Sequence, residues 1–405
     1  MLAACATGAL GVAERVPSAT VLDAVADPFC VDGHRIPSLF LLGWAKCGTT
    51  STAMQLQQDF GVQMPGKFND TYFQDAGKEP HFFDTVRVKQ GLSLYASVYP
   101  ECSANDTTAA NIALDASPSY VFSNKTLERI IKLYGAERIS RSTFAAQLCD
   151  PLQRVQSAYY HFHYSKNHSN WLADWMGKYY DWEVMSEPFG AYVNKKSKKG
   201  FFNTIRKARE NGKMDAEVDD LGLDAVEREF VLSLYPEFLK PTLEKFGHLA
   251  ILPSAEYFKD SQAALLELVT LAKSRTYPAS SGGGGGSSSS GATSSRSGSG
   301  SASSSSSSSS SRAAEEQEGK PELAPKIQPP FDTGHPDLTD EGISDAAGSD
   351  LRHLYRDAIR QTYDMLDDPR ITVVPARDDN WKRYLFFETS SILKKHAAER
   401  ATWPS

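Results

Sequence analysis

Leu39-Phe40-Leu41-Leu42-Gly43-Trp44-Ala45-Lys46-Cys47-Gly48-Thr49-Thr50-Ser51-Thr52-Ala53-Met54-Gln55-Leu56-Gln57-Gln58 decides the fold of this chain. The four apolar residues at its start read as a buried strand. Two glycines bracket the turn that follows, and the remainder reads as the start of a helix. A strand, a glycine-bearing turn and a helix start form a ready anion site. Glycine lets the backbone curl close to an oxyanion, and the first N–H groups of a helix have no intrahelical acceptor. Lys46, Thr49 and Thr50 stand inside the turn. The expectation is a cradle for a phosphate-like group; the alternative is a tight strand–helix turn with a solvated lysine.

Outward from this stretch, strand-like segments at 38–42, 112–115, 143–148 and 248–252 alternate with helix-like segments at 49–60, 123–134, 150–164, 223–246 and 261–273. Apolar strands alternating with amphipathic helices imply an α/β fold of the P-loop type, three layers with a central parallel sheet covered by helices on both faces. Ligands in such folds bind beyond the carboxyl ends of the strands. Residues 1–35 read as a loose lead-in and 36–279 as the main part of the domain. Residues 280–330 are Ser/Gly-rich and then Pro-rich, a composition that cannot bury apolar surface and reads as a disordered insert. Residues 331–405 regain helical periodicity, at 349–366 and 379–398, and read as the C-terminal part of the same domain.

Which phosphate the turn would hold depends on its lysine. A nucleotide-triphosphatase loop reads G-x-x-x-x-G-K-[ST]. Gly43 and Gly48 have that spacing, but Thr49 fills the lysine's slot and the lysine is Lys46. The displaced charge argues against ATP or GTP hydrolysis and against a nucleotide kinase.

The loop resembles the 5′-phosphosulfate loop of sulfotransferases that use 3′-phosphoadenosine-5′-phosphosulfate. Three further segments resemble the carbohydrate (heparan-sulfate-type) branch of that family, in the family's order. They are Lys78-Glu79-Pro80-His81-Phe82-Phe83, Asp115-Ala116-Ser117-Pro118-Ser119-Tyr120 and the run from Leu148 through Asp150-Pro151 and Arg154 to Ser157 and Tyr159. The resemblance covers residues 36–165 well and the later chain only loosely. It implies transfer of a sulfuryl group from that co-substrate to a hydroxyl or amine of a glycan, without a metal.

The resemblance also distributes roles. Lys46 would face the leaving phosphate, with Cys47, Gly48, Thr49, Thr50 and Ser51 around it. Glu79 would take the acceptor's proton, and its apolar neighbours Pro80, Phe82 and Phe83 would raise its pKa into a useful range. His81 is the rival base, because imidazole needs little tuning near neutrality. Lys78, Asp115 and Ser117 would lie beside the acceptor, with Asp115 either a second carboxylate or a loop-shaping residue. Ser157 matches the family's serine for the 3′-phosphate, but Cys149 stands where the family has arginine. The family's K-G-R-x-H-P element survives only as Thr333-Gly334-His335-Pro336, leaving Gly334 and His335 as contacts. Gln147, Arg154 and His335 are candidate replacements for the lost cations. The runner-up reading is therefore a sulfotransferase-fold binding protein with weak or no turnover.

Composition sets further bounds. A chain of 405 residues, 40% hydrophobic, can bury a full core, and a net charge of −7 with scattered Lys and Arg makes no overall demand for nucleic acid. No apolar run reaches the ~18 residues of a membrane span, and the first 13 residues lack the basic start of a signal peptide. Five cysteines, at 5, 30, 47, 102 and 149, show no zinc spacing and do not read as a disulfide framework, although one pair could form in an oxidising compartment. N-x-[ST] acceptors at Asn69, Asn105, Asn124 and Asn167 point toward the secretory pathway. The family resemblance points to the Golgi lumen. A basic run at 195–199, continued by Arg206, Lys207 and Arg209, either guides an anionic polysaccharide or forms a solvated face. His161, His163 and His168, interleaved with Tyr159, Tyr160 and Tyr164, have metal-like spacing but read as an aromatic-packed helix face.

Overall fold

The computed structural model describes residues 27–66, 77–102, 111–165, 187–211, 223–277 and 342–375. The expected helix at 379–398, the Ser/Gly-rich insert, Gly334 and His335 lie outside them. A short antiparallel ribbon, β1 (Cys30–Val31) and β2 (His34–Arg35), leads into β3 (Leu39–Gly43), α1 (Thr49–Phe60), α2 (Leu92–Ala96), β4 (Leu114–Asp115), α3 (Asn124–Arg141), β5 (Thr143–Leu148) and α4 (Pro151–Ser165). Then come α5 (Phe189–Lys198), α6 (Phe201–Glu210), α7 (Ala225–Leu232), α8 (Pro236–Phe246), β6 (Leu249–Pro253), α9 (Ser254–Lys259), α10 (Ser261–Thr276), α11 (Asp345–Leu366) and β7 (Ile371–Val373).

Strands β4-β3-β5-β6-β7 form one sheet in that order, every pair parallel. Successive side chains of a strand point to opposite faces, and here each face meets its own core. Phe40, Leu42, Phe144, Leu148 and Ile251 join apolar residues of α3, α4, α8 and α11. Leu39, Leu41, Ala145 and Leu252 join Ala53 and Leu56 of α1 and Leu265, Leu268 and Val269 of α10. This burial on both faces explains why the strands read as continuous apolar runs. The fold is three-layered α/β, and β7 makes the chain beyond the insert a contributor to the same sheet. No helix among the described residues is long and apolar enough to cross a membrane.

The expected helix at 223–246 is two helices, and the break shapes the site. Pro236 has no N–H to give the carbonyl of Leu232 four residues earlier. That orphaned carbonyl instead accepts the indole N–H of Trp44 at 2.7 Å. The helix expected to end at residue 134 runs on to Arg141 across Gly135, whose φ of 73° interrupts the helical path. β7 escapes a pattern search because it is three residues long.

The strand order locates the ligand crevice. From β3 the chain crosses to β4 on one side, whereas from β5 it continues to β6 on the other. Connections leaving in opposite directions open a crevice at the carboxyl ends of β3 and β5. The segments that follow those two strands begin with Trp44 and with Cys149.

Candidate functional site

The turn from Trp44 to Gly48 is held by its carbonyls. The Ala45 carbonyl accepts from the Arg154 guanidinium at 3.3 Å, and the Cys47 carbonyl accepts from Ser254 Oγ at 2.7 Å. The Trp44 carbonyl accepts from the N–H of Cys47 at 3.1 Å. Gly48, with φ of 97°, turns the chain into α1 as its N-cap and provides no side-chain cap. The first backbone bond of the helix is Thr52 N–H to Gly48 O. The N–H groups of Gly48, Thr49, Thr50 and Ser51 therefore lack acceptors among the described residues, while the carbonyls face inward and are satisfied. That polarity suits an anion. Gly43 serves a different purpose from the one expected: a Cβ there would meet Val121 Cγ1 at 2.6 Å, so its bareness admits the 118–121 segment.

Lys46 occupies left-handed backbone, φ 71°, as does His81, φ 45°; Asp32 is the other non-glycine residue with positive φ among the described residues. Side chains resist this conformation, and packing must impose it. Lys46 forms no hydrogen bond or ion pair among the described residues. Loss of hydration holds its ammonium below the usual lysine range, against the opposing pull of the Glu229 and Glu79 carboxylates. A desolvated cation at an uncapped helix start favours a bound anion. Replacing Trp44 by Phe removes the indole donor to Leu232 and leaves that carbonyl buried without its partner. The expected loss is about 1–3 kcal/mol in unfolding free energy, read by chemical denaturation; an unchanged midpoint would show that the anchor carries no stability.

Two disulfides correct the reading of the cysteines. Cys47 is bonded to Cys149, and Cys30 to Cys102. Cys149, expected as a free thiol at the far end of the donor, instead ties the end of β5 to the turn. The phenol of Tyr235 donates to the Cys149 carbonyl at 2.8 Å. Arg154 is also spent: fully buried, it pairs with Glu229 at 2.8 Å and donates to Ser233 Oγ and to the carbonyls of Glu229 and Ala45. Gln147 is buried and accepts from Thr52 Oγ1 at 2.8 Å. The Gln147 Nε2 is buried without a hydrogen-bond partner among the described residues. Ser157 is half-buried on α4, with a hydroxyl that meets no described partner.

Glu79 and His81 lie in one chain of hydrogen bonds. Glu79 takes the Lys78 ammonium on one oxygen and His81 Nε2 on the other, at 3.1 Å. His81 Nδ1 meets Asp84 Oδ2 at 2.9 Å, and Ser119 Oγ donates to the same oxygen at 2.6 Å. Burial alone would raise the Glu79 carboxyl, but the His81 hydrogen bond and the Lys78 charge outweigh it and hold it below its ordinary value. This reverses the expected upward shift. Burial alone would lower His81, but Asp84 and Glu79 outweigh it and push the imidazole to about 10. At that value His81 is cationic at neutral pH, which favours Glu79 over it as the base. Its folded value lies above the unfolded one, so its stabilisation is complete below about pH 6.5 and is lost as pH rises toward about 10. In labelled protein the His81 ring should remain imidazolium by NMR from about pH 6 to 8.5; a midpoint near its ordinary value would contradict the clamp.

Asp115 and Ser117 are fully buried and are bonded to this chain and to its neighbours. Asp115 is fully buried, accepting from the phenols of Tyr95 at 2.6 Å and Tyr120 at 3.1 Å and from the N–H of Ser117 at 3.0 Å. Burial raises its carboxyl to about 6 against those bonds. Tyr120 passes the linkage on by accepting from the N–H of Phe82 at 2.9 Å, and Ser117 Oγ accepts from the N–H of His81 at 3.1 Å. Asp115 and Ser117, expected beside an acceptor, brace the left-handed backbone of His81 in this structure.

Two features lay outside the sequence reading. Asp84 completes the clamp, and its signal was the spacing H-x-x-D within His81–Asp84. His161, read as part of a packing face, lies within electrostatic reach of Lys46 and Glu79. Loss of hydration and then the Lys46 charge lower it to about 4, so it is neutral. The basic run is partly consumed, since Lys196 is buried against Asp224 at 2.7 Å and Glu227 at 2.5 Å. Among the described residues no cluster of His, Cys, Asp or Glu is placed to hold a metal ion. Comparison of the chain with family models and with curated proteins gives no match.

Proposed function

We propose that this protein is a sulfotransferase that moves a sulfuryl group from 3′-phosphoadenosine-5′-phosphosulfate to a hydroxyl or amine of a glycan. One observation carries the reading. Lys46 and Glu79, on separate elements, lie close enough to act on each other's charge beside the uncapped start of α1. A cation, an ionised carboxylate and a row of free N–H groups at one crevice are the parts that such a transfer needs.

On this reading, which takes its roles from the resemblance, each residue has one task. The N–H groups of Gly48, Thr49, Thr50 and Ser51 grip the 5′-phosphate. As the sulfur–oxygen bond to that phosphate breaks, its electron pair stays on the phosphate oxygen, where Lys46 offsets the charge. Sulfur forms its new bond to the acceptor oxygen or nitrogen, and Glu79 takes the displaced proton. The imidazolium of His81, backed by Asp84, keeps Glu79 ionised and aimed. A depressed pKa makes Glu79 a weak base, so its value lies in position and in being unprotonated at every pH near neutrality. Two disulfides, with an exposed Asn124 that opens an N-x-T sequence, support an oxidising compartment of the secretory pathway such as the Golgi lumen.

A second reading has its own support. With Cys149 in a disulfide and Arg154 paired to Glu229, the far phosphate lacks the family's arginine, which favours a binding protein without turnover. Calorimetric titration with 3′-phosphoadenosine-5′-phosphate tests both. Dissociation constants in the micromolar range or tighter, lost in Lys46→Ala, support the donor site. Absence of binding to the intact protein rejects it, and binding without any transfer to a glycan panel selects the second reading.

A further inference from the structure

A cavity of about 680 Å³ is lined in part by Lys78, the residue that bonds Glu79. Its wall includes Thr50 and Met54 of α1, Met64 and Pro65 after α1, Lys78 and Val98. Its size is that of a site for a small organic molecule. Its position joins it to the proposed reaction centre, for Thr50 belongs to the uncapped first turn of α1 and Lys78 bonds Glu79.

Most of the described wall is apolar, with Thr50, Gln57 and Lys78 as its polar side chains besides the phenol of Tyr99. Lys78 is the one charged residue among the described lining, and its ammonium is paired with Glu79. Met54 is 38% exposed, unusual for a large apolar side chain here, and faces this space with Met64. Thioether side chains adapt to irregular apolar ligands. A polyanionic chain would need cations along this wall, and the described lining offers none that is unpaired.

Resting on the sulfotransferase reading, we infer that the acceptor is a sugar carrying an apolar aglycone, and that this cavity binds the aglycone while the sugar hydroxyl meets Glu79. The anionic polysaccharide suggested by the basic run is then not the acceptor. An aromatic ring and an alkyl chain share the required chemistry, and the test separates them.

The experiment is equilibrium binding to the full chain, with and without saturating 3′-phosphoadenosine-5′-phosphate. The probes are the methyl, octyl and 4-nitrophenyl β-glycosides of glucose, galactose and N-acetylglucosamine. For at least one sugar, the octyl or the 4-nitrophenyl glycoside should bind at least about tenfold more tightly than the methyl glycoside, the gain expected for burying a few apolar groups. Which of the two wins identifies the aglycone as alkyl or aromatic. Met54→Glu, at an exposed helix position, and separately Val98→Asp should abolish the preference while affinity for 3′-phosphoadenosine-5′-phosphate is unchanged. Equal affinities for all three glycosides, no binding of any, or a preference that survives both substitutions would overturn the inference. Failure of the nucleotide to bind instead counts against the donor site, and is read in a separate titration.

Discussion

Lys46→Ala should lower sulfuryl transfer by about 10²–10³-fold, the scale of losing one preorganised charge partner of a developing oxyanion. The expectation rests on position. Lys46 is held on left-handed backbone at the turn, beside the uncapped N–H groups of α1, and makes no bond to any described group. Because the side chain braces nothing, the variant should fold as well as the parent, with an unchanged melting temperature. Lys46→Arg should restore only part of the rate, because a planar guanidinium cannot follow charge onto one bridging oxygen as a compact ammonium does. A Lys46→Ala protein that is fully active would remove the lysine from the chemistry; one that is inactive but unfolded is recognised by its lost thermal transition.

Opening the Cys47–Cys149 bond should have the largest effect on stability. The two cysteines are separated by 102 residues in sequence. Closing a loop of that length removes enough disorder from the unfolded chain to stabilise the fold by about 4–5 kcal/mol in the chain-entropy description. The Cys30–Cys102 bond spans 72 residues and should contribute a similar amount. Function separates the two. Cys47 lies between Lys46 and Gly48, so replacing Cys47 and Cys149 together by Ser frees the turn, and affinity for 3′-phosphoadenosine-5′-phosphate should fall about tenfold or more, because the loop must then be ordered on binding. Replacing Cys30 and Cys102 by Ser should destabilise the fold while leaving that affinity unchanged. Equal affinities in the two variants would show that the bond at the turn is a staple of the fold alone.

These contrasts mark what a sequence shows and what it hides. The strand, turn and helix of residues 39–60 were legible because each is specified locally: an apolar run, glycines at the bend and helical periodicity after it. β5, Thr143–Leu148, was legible for the same reason. The disulfide was not, because Cys47 and Cys149 meet only through the adjacency of β3 and β5, which is a property of topology. The direction of the Glu79 shift was misread because its apolar neighbours in sequence were weighed above its bonded partners. Lys78 and His81 were adjacent all along, but only the turn at His81 aims its ring at Glu79. Asp115 shows the converse: a carboxylate beside a candidate site looks functional in sequence, whereas three donors and full burial make it the brace of Tyr95 and Tyr120. Pro236 marks the Leu232 carbonyl as open, but nothing local names Trp44, 188 residues away in sequence, as its donor.

The most direct test of the central claim is transfer of label from ³⁵S-labelled 3′-phosphoadenosine-5′-phosphosulfate to a panel of glycan acceptors by the purified, disulfide-intact protein. The account predicts labelled product from the parent and its loss in Glu79→Gln, whose amide oxygen can still accept from His81 but which cannot take a proton, with donor affinity retained. Label transfer that is unaffected by Glu79→Gln, or no labelled product from an intact protein that binds the donor, would contradict it.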